Sequence, residues 1–313
     1  MKAAVIGSHG ATPAFGDFRE PEPREGCVVI EVDTAGLGGW DVLGAYRLAV
    51  EYPCVLRGEG VGRAEYGRRV YFGERSVAPW GGWAERTIVP AAEVWDVPDD
   101  IDDETAITMA IAGTGAFVPL EQAAIKPGET VLVLGATGTL GQLALQFARI
   151  LGAGRVVGAS RSATALDRLR ERGIADATVV MGGDDDLAAL KAEAGEGYDV
   201  VLDLVCGAPM VAALKATRWG ARIVTVGTGA GAAINLTAGD LLFRTLTVVG
   251  TGQRPPADRE RIWRRLLDIT REHAITVDQL DYDLPEIATA WAVQKAGPHA
   301  KITGKIAPSA DIG

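Results

Sequence analysis

Cysteine is scarce. The three residues Cys27, Cys54 and Cys206 are odd in number and far apart, which excludes a disulfide framework and a CxxC-type metal site and fits a reducing compartment. Basic charge is also short: 31 Lys and Arg against 41 Asp and Glu leave a net charge of -10, which excludes a binder of phosphate backbones held by basic residues, so no nucleic-acid partner is expected. Long apolar runs are missing, since the uncharged stretch from Thr105 to Leu120 is broken by Gly113, Gly115 and Pro119, and the opening MKAAVIGSHG has no signal-peptide h-region. No membrane partner is expected, and the cytoplasm is the expected compartment. Histidine is limited to His9, His273 and His299, none of them spaced i,i+4 as ligands on one helix face would be. Internal repeats and low-complexity tracts are absent too.

What is present is ordinary globular composition, 48% apolar and 23% charged, over 313 residues, a length that suggests two domains. Up to about residue 100, short apolar segments such as VVIEV (28–32) and RRVYF (68–72) alternate with Gly, Pro and charge, reading as an irregular β domain. From Lys126 the texture changes. Six apolar runs follow in series: TVLVLG (130–135), RVVGAS (155–160), ATVV (177–180), YDVVLDL (198–204), ARIVTVG (221–227) and TLTVVG (245–250). Runs of this kind, separated by helical patterns, predict the strands of a doubly wound parallel sheet in an α/β chain. Leu140, Leu143, Ala144, Phe147, Ala148 and Leu151 fall at helical spacing after the first run, and Gly152 stands where a helix C-terminus needs a left-handed residue. A second amphipathic helix follows Pro255 and Pro256, and the closing KITGKIA has no place in a complete six-stranded sheet, so it is expected to return to the N-terminal domain.

The junction after the first run carries the chemistry. Gly135, Ala136, Thr137, Gly138, Thr139, Leu140 and Gly141 lie between a strand and a helix, with Gly138 and Gly141 in the second and third places of the G-x-G-x-x-G register. A residue without Cβ at Gly138 lets a pyrophosphate approach the backbone, Gly141 lets the helix pack on the sheet, and the helix N-terminus offers free N–H donors. At the end of the second run an NAD enzyme would present an acid to the ribose 2′-hydroxyl; here Ser160 and Arg161 stand instead. The cation predicts NADP as cofactor, with both residues holding the 2′-phosphate.

The string KPGETVLVLGATGTLGQLALQFARILGA, with MKAAVI, AGLGGWDVL (35–43), RGEGVG (57–62), GGWAERTIVP (81–90) and HAKITGKI (299–306) in order, closely resembles the medium-chain dehydrogenase/reductase superfamily. The resemblance implies a GroES-like β-barrel domain over 1–112, completed by 273–313, and a Rossmann NADP-binding domain over 113–272. It also implies that Asp203, Val205, Val226, Gly227, Val249 and Gly250, at the carboxyl ends of the last three runs, line the nicotinamide and its ribose. Zinc members of the superfamily carry a ligand cysteine in C-G-x-D and a ligand histidine in G-H-E; Gly38 and Gly58 stand at those positions. No metal is expected, and the chain is similar to the zinc-free branch of quinone oxidoreductases and enoyl reductases. Gly38 also replaces an asparagine common in quinone oxidoreductases.

Without a Lewis acid, a conjugated acceptor is the easiest substrate, because hydride addition to a quinone or enone generates an already delocalised anion. The expected reaction is therefore hydride transfer from NADPH to a quinone or α,β-unsaturated carbonyl. A zinc-free alcohol dehydrogenase or carbonyl reductase, and a non-catalytic NADPH-binding sensor, are the alternatives. Trp40, Asp41, Tyr46 and Tyr52 are the candidate catalytic residues: Tyr46 or Tyr52 as proton donor, Trp40 against the acceptor, and Asp41 as site support or as a loop brace. Trp40, Tyr46, Tyr52, Trp80 and Trp83 together could form an aromatic wall. The apolar run 246–252 reads as an edge strand, and the resemblance implies a homodimer through it.

Overall fold

The computed structural model describes residues 1–43, 51–73, 75–248 and 254–306. The chain divides into two compact units. The first comprises Met1–Ile111, Pro255–Glu272 and Asp278–Gly313, the second Ala112–Arg254 and His273–Val277.

The chain begins with β1 (Lys2–Ile6), β2 (Ala14–Asp17), β3 (Cys27–Leu37), α1 (Gly39–Leu43), β4 (Cys54–Val55), β5 (Gly60–Arg63), β6 (Arg69–Phe72), β7 (Arg86–Pro90) and β8 (Val94–Asp96). The helix α2 (Asp103–Ala123) follows, and the division between the units falls within it. Next come β9 (Thr130–Leu134), α3 (Thr139–Ile150), β10 (Arg155–Ser160), α4 (Ala163–Glu171), β11 (Ala177–Val180), α5 (Asp186–Ala194), β12 (Tyr198–Asp203), α6 (Gly207–Lys215), β13 (Thr217–Thr225), α7 (Ala238–Leu241) and β14 (Thr245–Val248). The chain closes with α8 (Pro256–Glu272), β15 (Gln279–Asp283), α9 (Ile287–Ala296) and β16 (Lys301–Lys305).

In the second unit the six strands run parallel in the order β11-β10-β9-β12-β13-β14. The chain winds outward from β9 in one direction, returns, and winds outward from β12 in the other, which makes the edge between β9 and β12 the switch point of a doubly wound sheet. Strands covered on both faces need apolar side chains throughout, and Val131, Leu132, Val133, Val200, Val201 and Leu202 are all fully buried. The helix α3 buries Leu143, Ala144, Leu145, Phe147 and Ala148, and Phe147 meets Phe117 edge to face at 5.4 Å. Gly152, at φ +104, ends it as the sequence predicts. The strand β13 starts at Thr217 rather than at Ala221 and ends at Thr225, so Val226 and Gly227 lie in the loop beyond it. Val249 and Gly250 lie outside the described residues.

The first unit holds a mostly antiparallel sheet in the order β15-β16-β3-β5-β6-β8, with β7 also paired to β3, and a small sheet β2-β1-β4. The closing strand β16 pairs with β3, as the leftover KITGKIA required. Ile30, Val32, Leu37, Leu56, Phe72, Trp83 and Ile302 form its core. The α/β fold class, a Rossmann-type parallel sheet beside a separate antiparallel sheet, is thus the expected one.

One assignment differs from the expectation. The helix α8 belongs with the first unit, not with the parallel-sheet unit: Trp263 is fully buried there and its indole N–H donates to Ala106 O at 2.9 Å, while Arg259 pairs with Glu93 and Arg271 with Asp100. Its apolar stripe was legible; which partner it covers was not, because periodicity specifies a face and not its neighbour.

Candidate functional site

At the carboxyl end of β9 the chain turns sharply. Gly135 takes φ +78 and its N–H donates to Ala159 O at 2.9 Å, tying the loop to β10. Gly138 follows as the N-cap of α3 with extended backbone and no side-chain cap. A Cβ on Gly138 would have only Gly135 O within 4 Å, at 3.7 Å, so the space beside it is open. Gly141 is the opposite case. A Cβ there would fall on the Gly135 carbonyl oxygen and stand 2.5 Å from Ala136 Cα. The two glycines therefore do different work, one leaving an approach open and the other letting helix and loop touch.

The start of α3 has no side-chain cap and the side of Gly138 next to it is open, with the positive end of a twelve-residue helix behind, an arrangement suited to a pyrophosphate. Gln142, fully buried, donates from Nε2 to Thr137 O at 3.0 Å and braces the loop from inside. Sequence reasoning passed over it, although a polar residue on a buried helical stripe was the available signal. Thr137 and Ser160 share a hydroxyl–hydroxyl bond of 2.8 Å, which joins the glycine loop to the end of β10. Arg161, next along, is exposed and has no hydrogen-bond or ion-pair partner among the described residues. Thr139 and Leu140 are half-buried in the first turn of α3.

Asp203 ends β12 beside Leu134 and Thr225 and is fully buried. Its Oδ1 accepts the N–H groups of Val205 at 3.0 Å and Cys206 at 2.7 Å, shaping the turn into α6. Burial pushes its carboxyl above the ordinary value of 3.8, against the pull of those N–H donors and the Thr225 hydroxyl. Val205 lies against Gly135, where a Cβ would come within 2.9 Å of its Cγ1, and Val226 and Gly227 are half-buried on the same edge. The loop, Ser160, Asp203 and Val205 are therefore brought together.

In the first unit the candidate catalytic residues fare differently. Trp40 sits in the short α1 with 56% of its surface exposed. Asp41 is buried, and its Oδ2 accepts the Gly38 N–H at 2.8 Å, the brace that was the plainer reading of it. The Tyr52 hydroxyl lies 3.4 Å from His9 Nδ1, and Tyr46 lies outside the described residues. The aromatic wall does not form as expected. Trp83 is sealed in the core and donates to Gly36 O at 3.0 Å, and Trp80 is buried, donating to Arg19 O under that residue's guanidinium. Trp83 also explains Gly58. That residue has φ +150, and a Cβ on it would stand 2.7 Å from Gly36 O and 3.0 Å from the indole.

Next to Gly58 is an ion pair that sequence reasoning missed. Glu59 and Lys301 are each about 5% exposed and meet at 2.9 Å. The Tyr71 hydroxyl and the Ile111 N–H donate to the other carboxylate oxygen at 2.9 and 3.2 Å. A lone charge between glycines at Glu59 and another at the head of the apolar β16 were the signal; that the two pair, 242 residues apart, was not readable.

Comparison with known proteins decides the family. A family model described as Zinc-binding dehydrogenase matches residues 139–268. The Quinone oxidoreductase-like protein 2 homolog of Nematostella vectensis is 30% identical over 235 residues, covering 71% of this chain and 64% of that protein. The Acryloyl-coenzyme A reductase of Metallosphaera sedula is 28% identical over 300 residues, 83% of this chain and 87% of that enzyme. The chain belongs to the medium-chain dehydrogenase/reductase superfamily, in its quinone oxidoreductase-like branch. It spans less than two thirds of the length of several curated relatives it matches. A mycobacterial member of the fold, solved in complex with NADPH, superposes with a TM-score of 0.83 at 22% identity over 97% of this chain and 99% of that one.

Against the superfamily's zinc pattern, the residues do not fit a catalytic metal. Gly38 and Gly58 have no donor atoms, the seat at Gly58 has no room for a histidine, and among the described residues no three His, Cys, Asp or Glu side chains gather as ligands would. A nicotinamide dinucleotide is the better match, since the open approach at Gly138 and the uncapped start of α3 suit a pyrophosphate.

Proposed function

We propose that the protein is an NADPH-dependent, zinc-independent oxidoreductase acting on a quinone or an α,β-unsaturated carbonyl. The observation that carries the reading is the end of the parallel sheet, where the uncapped α3 and the open side of Gly138 stand beside an unpaired Arg161. In this reading Gly135 to Gly141 hold the pyrophosphate through backbone N–H groups. Ser160, with Thr137 behind it, and Arg161 hold the 2′-phosphate. Asp203 fixes the turn that carries Val205, and Val205, Val226, Gly227, Val249 and Gly250 flank the nicotinamide. The bound cofactor supplies a hydride. Trp40 lies against the acceptor, Asp41 holds the Gly38 turn, and Tyr46 or Tyr52 brings the proton. A conjugated acceptor needs no metal, since its negative charge is delocalised as it forms. The Nematostella relative, named as quinone oxidoreductase-like, and the Metallosphaera relative, named as an acryloyl-coenzyme A reductase, support this acceptor class.

The proposal extends to assembly and compartment. Among the described residues the edge strand β14 has no neighbour on its outer side, and beside it Trp219, 73% exposed, stacks on Phe243 at 3.9 Å next to the exposed Leu242. Apolar rings at an open strand edge favour a second copy as partner. The three cysteines are free, as the cytoplasm would keep them, and no helix among the described residues is long and apolar enough to cross a membrane.

The test is a fluorescence titration with NADPH and NADH, followed by a panel of quinones and enones with and without a zinc chelator. Selective NADPH binding, acceptor-dependent oxidation and indifference to the chelator are expected. Tight binding with no turnover of any acceptor, or preference for NADH, refutes the reading.

A further inference from the structure

Beyond the end of β11, Gly182 and Gly183 direct successive N–H groups to one point, and both donate to Asp186 Oδ1, at 2.7 and 3.2 Å. Gly182 takes φ +91, and the Arg161 stem lies against it, with Cγ 3.8 Å from where a Cβ would be. Converging N–H groups beside a guanidinium are an anion-binding concavity. Here the chain fills the N–H half of it with its own carboxylate and leaves the guanidinium half unpaired. The neighbouring acids are occupied otherwise: Asp185 caps α5 by accepting the Ala188 N–H at 2.9 Å, and Asp184 is exposed with no hydrogen bond among the described residues.

We infer that Asp186 is a specificity-determining residue whose carboxylate, seated on the Gly182 and Gly183 N–H groups, limits how strongly the Arg161 pocket prefers a 2′-phosphate over a 2′-hydroxyl. This rests on the assignment of Arg161 to the 2′-phosphate proposed above. The argument is one of charge. A 2′-phosphate drawn to Arg161 meets a fixed negative charge and two donors already in use, whereas a ribose hydroxyl is neutral and is not repelled. The pocket therefore discriminates by less than its guanidinium alone would allow.

The experiment is calorimetric binding of NADPH, NADH, adenosine 2′,5′-bisphosphate and AMP to the parent, Asp186→Asn and Asp184→Asn. Asp186→Asn keeps an oxygen for the two N–H groups and removes the charge; Asp186→Ser offers a second neutral acceptor if the asparagine variant is poorly folded. For both, the Kd of the 2′-phosphorylated ligands should fall about threefold, the worth of one like charge at a solvated site. The other ligands should be unchanged, and Asp184→Asn should shift neither class as far. An unchanged NADPH-to-NADH ratio in both Asp186 variants overturns the inference while leaving the NADPH reading intact. So does an equal effect of Asp184→Asn, which would make the effect a general one of net charge. Selective weakening of NADH would overturn it by placing Asp186 on the ribose hydroxyl. A parent that binds neither dinucleotide, or prefers NADH, overturns the Arg161 assignment first and this inference with it.

Discussion

Gly138 and Gly141 lie three residues apart in one loop, yet alanine should affect them in opposite ways. At Gly138 the backbone is extended, φ −74 and ψ 167, so alanine is unstrained, and its Cβ meets nothing closer than 3.7 Å. Alanine is a poorer N-cap than glycine but lowers unfolded-chain entropy, and the two effects leave stability within about 1 kcal/mol of the parent. The new methyl, however, occupies the side from which the pyrophosphate approaches, and NADPH affinity should fall by about tenfold or more, the equivalent of about 1.4 kcal/mol. At Gly141 the Cβ is driven onto the Gly135 carbonyl and to 2.5 Å from Ala136 Cα. Backbone cannot rotate away as a side chain can, so the cost lies at the upper end of the overpacking range, about 3 kcal/mol, lowering Tm by about 6–12 °C. Thermal melts and NADPH titrations on the same preparations separate the two. The reasoning is refuted by a Gly138→Ala variant that binds NADPH within about twofold of the parent, or by a Gly141→Ala variant that melts with it.

Other expectations follow from single contacts. Arg161→Ala should weaken NADPH by about tenfold to a hundredfold, the value of about 1.5–3 kcal/mol for a hydrogen bond to a charged group, and leave NADH unchanged; equal losses in a binding assay would count against it. Lys301→Met leaves the Glu59 carboxylate buried with the Tyr71 hydroxyl and the Ile111 N–H as its hydrogen-bond partners among the described residues, at a cost of about 3–5 kcal/mol in urea unfolding. Adding Glu59→Gln should recover most of that loss, and a double variant no more stable than the single would contradict the account. Asp203 gives a pH dependence. Because burial holds its folded pKa above 3.8, the native state binds its proton more tightly than the unfolded chain does, so its contribution is full below that value and is lost as pH rises through the folded one. Urea midpoints for Asp203→Asn should decline less than the parent's over this range, and parallel curves would show that the carboxyl is not the source.

The parts of the fold and site that were legible in the sequence are those fixed by local pattern. Six apolar runs can pair only as a buried parallel sheet, and a glycine loop between strand and helix can do little but turn and expose N–H groups, so Gly135 to Gly141 stand where spacing put them. Arg161 was readable because its place is counted from the loop along a single strand. Trp83 was not, because whether an indole lines a cleft or fills a core depends on the absence of Cβ at Gly58 and Gly304, residues distant in sequence. The same limit hid the Glu59–Lys301 pair and the partner of α8. Asp186 escaped because three successive acids look alike until the backbone donors that select one of them are known.

Trp83 also bears on how this sequence can change. Its ring is seated against Gly58 and Gly304, and its N–H is spent on the Gly36 carbonyl that would itself collide with a side chain at position 58. None of these residues can be altered alone without loss: a larger residue at either glycine strikes the indole, and a smaller one at Trp83 leaves a void and a bare carbonyl. A histidine at position 58 therefore demands a compensating change at Trp83 and a backbone shift at Gly36 as well, so a ligand cannot be introduced there by one substitution without loss of packing.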